Sequence, residues 1–139
     1  MPAMPFVHLR VHTEFSVVDG TLRVDEAVAA AADDGQGALA ITDLSNLFGA
    51  VKFYSAARAA GVKPIVGAEL CLEPEGSERQ PSRLVVLVQN REGYLNLCEL
   101  LSRAWLDNAE RGHALVKWPW LAERHAGLIV LSGAESTIA

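Results

Sequence analysis

The stretch Phe6-Val-His-Leu-Arg-Val-His-Thr-Glu-Phe-Ser16 decides how the chain is read. In an extended strand successive side chains leave opposite faces, so the alternation over Phe6 to His12 predicts a strand with two unlike sides. Val7, Leu9 and Val11 would face a core, and His8, Arg10 and His12 would share a polar face. Closely spaced histidines on a strand suit a divalent metal, which needs nitrogen donors held in place. Arg10 stands between them, and a guanidinium offers no lone pair and keeps its proton. The stretch reads as a metal-binding strand in which one ligand position has become a permanent cation.

Working outward, a helix is expected from Val24 to Asp33, with Val24, Ala27, Val28, Ala31 and Ala32 as its apolar stripe, Asp25 and Glu26 in its first turn and Gly35 to end it. Ala38 to Thr42 is a short apolar strand. A second helix is expected from Leu47 to Ala60, capped by Ser45 or Asn46 and closed by Gly61. A third strand near Pro64 to Leu72 is joined by a ten-residue polar link to the run Leu84 to Val88. That link is short for a parallel crossover and favours a hairpin. Asn90 caps a long helix with Tyr94, Leu97, Cys98, Leu101, Ala104 and Trp105 at helical spacing. The polar stretch Asn108 to His113 reads as a mobile loop, Trp118 to Arg124 as a short helix, and Leu128 to Leu131 as a last strand. Five strands alternating with helices argue for an α/β sheet or an incomplete barrel.

Composition narrows the function classes. The 139 residues are half apolar and carry a formal charge of −5, with cations scattered, so no basic stripe suited to gripping a phosphate backbone is present. The chain alone should bind nucleic acid poorly. Cys71 and Cys98 form no Cys-x-x-Cys pair, which fits reduced thiols in a cytoplasmic protein. No window reaches the length of a membrane span, and no leader pattern precedes Phe6.

In a parallel α/β fold, functional groups collect where strands end. Those ends offer His12, Asp43 and Glu69, and Asp19 follows the first strand in a loop. Such a set could serve a divalent-metal phosphoesterase, or it could be an ordinary buried polar layer.

Four ordered motifs carry a resemblance: Phe6 to Gly20, Ala38-Leu-Ala-Ile-Thr-Asp-Leu-Ser-Asn-Leu-Phe-Gly49, Lys63-Pro-Ile-Val-Gly-Ala-Glu69 and Gly127-Leu-Ile-Val-Leu-Ser-Gly133. Together they resemble the PHP (polymerase and histidinol phosphatase) domain that begins the alpha subunits of bacterial DNA polymerase III. The resemblance implies an incomplete, distorted β/α (TIM-like) barrel of the PHP type. It also implies that residues 1–139 are the N-terminal part of a PHP domain, in a much larger polymerase subunit whose DNA-directed synthesis and magnesium site lie elsewhere. The implied partners are the rest of that alpha chain and the epsilon proofreading exonuclease. DNA would be met only through the parent protein, and no membrane is involved.

Metal-binding PHP domains place ligands at positions that fall here on Arg10, His12, Asp19, Leu44, Glu69, Arg83 and Ala134. Only His12, Asp19 and Glu69 keep a donor, so the resemblance implies no catalytic group and no metal in these residues. Arg10 is expected to replace the missing metal charge by pairing with Asp19, Asp43 or Glu69. His8 reads as a hydrogen-bonded interior histidine, and His113 and His125 as surface residues. Trp118 and Trp120 read first as packing. The rival reading is a PHP domain that is itself a metal-dependent phosphoesterase or 3'-5' exonuclease; Arg10, Leu44 and Ala134 speak against it.

Overall fold

The computed structural model describes residues 6–16, 20–74 and 80–132. Among them are α1 (Val24–Asp33), β1 (Ala38–Leu44), α2 (Ala50–Ala60), β2 (Lys63–Leu72), β3 (Ser82–Val88), α3 (Arg91–Asp107), β4 (Ala109–Glu110), β5 (His113–Val116), α4 (Trp118–Glu123) and β6 (Leu128–Leu131). β2 is the spine of a six-stranded sheet. Its first residues pair in parallel with β1, and Cys71 and Leu72 pair in parallel with β5. Its other edge is antiparallel to β3, which carries β6 beyond it. The hairpin expected between β2 and β3 is present.

The two faces of the sheet differ. Ala68, Leu70 and Leu72 of β2 and Leu84 and Val86 of β3 pack on Leu97, Leu100, Leu101 and Ala104 of α3. Leu39 and Ile41 of β1 meet Val24, Val28 and Ala31 of α1 and Phe53 and Ala57 of α2. The β1–β2 register puts Leu39 and Ile41 on the same side as Ala68, so all these helices cover one face. The opposite face carries a small apolar cluster of Ala40, Val85 and Leu87 with Ile65 and Leu131 against it. A sheet covered by helices on one side only, and not closed on itself, is the incomplete barrel that the sequence suggested.

Three expectations need correction. Residues 6–13 are not a regular strand. His8 O accepts from Ala40 N and Val11 O from Thr42 N, so three residues of the segment span two of β1 and the ladder bulges. The bulge splits the expected polar face: Arg10 and His12 point to the helix-free side, while His8 and Val11 line a pocket with Ala27 and Ala31 of α1. The stretch from Asn108 to His113 is not a loop but most of the β4–β5 hairpin, turned by Arg111 (φ 50°) and Gly112 (φ 82°), both left-handed as a tight hairpin requires. Lastly, α2 begins at Ala50 with no side-chain cap. Asn46 Oδ1 accepts instead from Phe48 N, 3.1 Å away, and forms a turn before the helix.

Elsewhere local chemistry and structure agree. α1 has the expected bounds, Gly61 closes α2 in the left-handed conformation, and Asn90 Oδ1 caps α3 by accepting from Gly93 N at 3.0 Å. Cys71 and Cys98 are free thiols. Trp118 and Trp120 pack against the α3 cluster, and the guanidinium of Arg103 lies 4.4 Å from the Trp120 ring centre.

Candidate functional site

Glu69 is 1% exposed, near the end of β2 on the helix-free face. A lone buried carboxylate is costly, and three side chains answer it. Arg10 Nε donates to Oε1 at 2.5 Å, while His12 Nε2 at 3.0 Å and Arg83 Nη1 at 3.3 Å meet Oε2. Burial alone would push the Glu69 carboxyl up, but the hydrogen bonds and charges of His12 and Arg10 outweigh it. They hold the group down from 4.5 to about 2.

Backbone register explains the meeting. In the β2–β3 pair Cys71 lies opposite Arg83 and Glu69 opposite Val85, so Glu69, Cys71 and Arg83 share one face. In the parallel β1–β2 pair Leu44 stands beside Glu69 and offers it no donor. Past β1, Ser45 turns into a left-handed conformation (φ 56°) with its amide bonded to Glu69 O. Its carbonyl accepts from Trp105 Nε1 at 2.8 Å. Ser45 Oγ lies 3.9 Å from Cys71 Sγ, and burial pushes that thiol up, so it stays protonated.

Asp43 forms a second, separate centre. It accepts from Thr13 N at 2.6 Å, from Thr13 Oγ1 at 2.8 Å and from Ser16 Oγ at 2.7 Å. Ser16 Oγ in turn accepts from Leu44 N. This carboxylate pins the chain after the bulge to β1 and takes no part in the Arg10 pair. The sequence offered Asp43 as a possible partner of Arg10; Thr13 and Ser16 were not singled out, although both hydroxyls stand in the same opening motif.

Of the other expected site residues, His8 is exposed and not interior as expected, because the bulge turns it away from the site, and its backbone amide donates to Gln36 Oε1. Asp19 and Ala134 lie outside the described residues. Among the described residues, no three of His, Cys, Asp and Glu gather as a metal site. His12 and Glu69 are two donors, Leu44 supplies none, and the guanidiniums of Arg10 and Arg83 stand against the carboxylate where a cation would have to approach. Among the described residues, that donor set does not fit a divalent ion.

The PHP domain family matches residues 8–137. This chain belongs to the PHP domain family. Curated relatives include the DNA polymerase III subunit alpha of Pseudomonas fluorescens, 46% identical over 135 residues, or 97% of this chain. The subunit alpha of Escherichia coli K12 is 44% identical over 128 residues, 92% of this chain. The chain spans 11% of the length of each of these relatives. Two solved structures share the fold. An amidohydrolase from Chromobacterium violaceum gives a TM-score of 0.54 at 23% identity, covering 73% of this chain and 33% of that one. A candidate metal-dependent phosphoesterase from Bifidobacterium adolescentis gives 0.52 at 16%, covering 70% and 32%. At such identity the likeness concerns the PHP fold and not the chemistry.

Proposed function

We propose that this chain is the N-terminal PHP part of a bacterial DNA polymerase III alpha subunit, working in the cytoplasm as a metal-free scaffold. The parent polypeptide would be the DNA-directed DNA polymerase, with its magnesium and its contact with DNA outside residues 1–139. The observation that carries the reading is the enclosure of Glu69 by Arg10, His12 and Arg83. A carboxylate already neutralised by guanidiniums has no charge left to hold an ion or activate a water. What remains is structural: the three contacts tie residues 10–12, β2 and β3 together.

A scaffold also presents surface. Leu47, Phe48, Leu101, Trp105 and Leu106 line an apolar groove of about 430 Å³ beside the Ser45 turn, with Phe48 75% and Leu106 83% exposed. Exposed apolar grooves suit protein partners, which supports docking of the epsilon proofreading exonuclease on this part of the alpha chain.

The test is phosphodiester hydrolysis by the 139-residue chain supplied with manganese, zinc or iron, alongside primer extension by the natural full-length polypeptide. Extension by the full-length protein and no hydrolysis by the chain are expected. Hydrolysis that disappears in Glu69→Gln would overturn the scaffold reading. For the partner, Phe48→Ala with Leu106→Ala in the full-length protein should weaken co-sedimentation with the epsilon subunit; unchanged co-sedimentation would remove the groove from the account.

A further inference from the structure

We infer that residues 6–16 are a detachable strap, an opening unit of its own that can leave the sheet while β1, β2 and β3 stay folded, and that its release uncovers Glu69. The inference stands on attachment geometry and goes beyond the scaffold reading.

The strap is held differently from every other strand-like segment. β1 pairs with β2 along its whole length, Ala38 through Leu44. On its opposite edge, the strap supplies two main-chain acceptors, His8 O for Ala40 N and Val11 O for Thr42 N. A third main-chain bond, from Glu14 N to Leu22 O, ties the strap to the segment before α1 and not to the sheet, and the other attachments among the described residues are made through side chains. Thr42 Oγ1 accepts from Val11 N, Asp43 collects Thr13 and Ser16, and Asn46 Nδ2 donates to Phe15 O. Glu69 holds Arg10 and His12, and Lys52 of α2 stands 4.0 Å from Glu14.

Apolar burial adds little. Val11 and Phe15 lean on the cluster under α1 and α2, but Phe6 is 60% and Leu9 38% exposed. Segments with few buried apolar contacts open at low free energy, below that of global unfolding. Release of the strap also takes Ser16 Oγ from Leu44 N, but Leu39 and Ile41 keep their packing on the helices and β1 keeps β2. Arg10 and His12 ride on the strap and must leave together, whereas Arg83 belongs to β3 and stays. Opening therefore turns an enclosed carboxylate with three partners into an accessible one with a single guanidinium, and bares the outer edge of β1.

Alternate amides of a strand point to opposite edges. Ala40 and Thr42 donate to the strap, so Leu39 and Ile41 point to β2 and form a control within the same strand. The test is native-state hydrogen exchange at residue resolution on the natural full-length polypeptide, with Asp43→Asn as the loosening variant and Thr13→Val as the milder one. Ala40 and Thr42 should exchange at least about tenfold faster than Leu39 and Ile41. Either variant that folds should widen that gap without speeding residues 84–88. Equal exchange of even and odd amides in the unaltered protein, or equal acceleration of residues 40, 42 and 84–88 in a variant, would overturn the strap. If neither variant folds, the unaltered protein decides alone.

Discussion

Arg10 Nε and Glu69 Oε1 lie 2.5 Å apart across 59 positions of sequence, joining the opening segment to the second half of β2. The family resemblance puts Arg10 where a metal-binding PHP domain is expected to carry a ligand, and Glu69 at an expected ligand position that keeps its donor. With Arg83 reaching the same carboxylate from β3, guanidiniums do for the charge of Glu69 what an ion would otherwise do. A guanidinium offers no exchangeable coordination site, and the proposed metal-free scaffold rests on that substitution.

Glu69→Gln tests how much this balance contributes to folding. Removing one partner of a buried pair costs several kcal/mol when the others are also buried. Here the Arg10 side chain is 53% exposed and Arg83 30% exposed, so both can turn to water. The expected loss is about 2 kcal/mol, read as a lower urea midpoint at unchanged slope. No change in midpoint would mean that the contacts add nothing to stability.

Acid should find the same group. The folded carboxyl lies at about 2 and its ordinary value is 4.5, a depressed group whose stabilisation is complete above the unfolded value. That stabilisation is lost as pH falls from 4.5 toward 2, and it amounts to no more than about 3.4 kcal/mol at 1.36 kcal/mol per unit. Thermal unfolding followed against pH should lose stability more steeply over this window in the unaltered chain than in Glu69→Gln. Parallel acid limbs in the two proteins would contradict the assignment.

Asp43→Ala should cost more than a typical surface change because it strands Thr13 N and two hydroxyls at buried positions. The penalty for unsatisfied buried donors suggests a loss of about 2 to 3 kcal/mol. Ser16→Ala removes one of the three contacts and should cost about 1 kcal/mol. Chemical denaturation of both variants measures the ratio.

Gly93→Ala tests the packing of α3 on the approach to β6. A Cβ at Gly93 would sit 1.9 Å from Gly127 O, a backbone atom that cannot swing aside. Forcing a shift there should destabilise by about 2 kcal/mol or more, despite the better helix propensity of alanine. A stabilised variant would show that this end of the helix moves freely.

Much of the fold was legible because apolar runs and caps act locally. The bounds of α1, the caps Asn90 and Gly61, and the β2–β3 hairpin follow from residues close to one another in sequence. The failures are of another kind. Alternation over residues 6–12 is a correct strand signal, but periodicity does not show a bulge, and the bulge is what turns His8 away from Arg10. The β4–β5 hairpin is short and polar, and its turn is made by Arg111-Gly112, not by Asn-Gly or Asp-Gly, so its pattern matches a loop. At the site, Arg10 was expected to pair with Asp19, Asp43 or Glu69, and charge alone did not choose Glu69 among them. The place of Arg83 depends on the register of the β2–β3 hairpin, and the partners of Asp43 depend on how the strap crosses β1; both are tertiary facts.

The most direct measurement is the metal content of the protein after equilibration with manganese and zinc and removal of free ion, compared with Glu69→Gln. A site without the necessary donors should retain less than about a tenth of an equivalent, with no difference between the two proteins. One or more tightly held equivalents, lost in Glu69→Gln, would show that Arg10 and Arg83 yield to an ion and would contradict the metal-free scaffold.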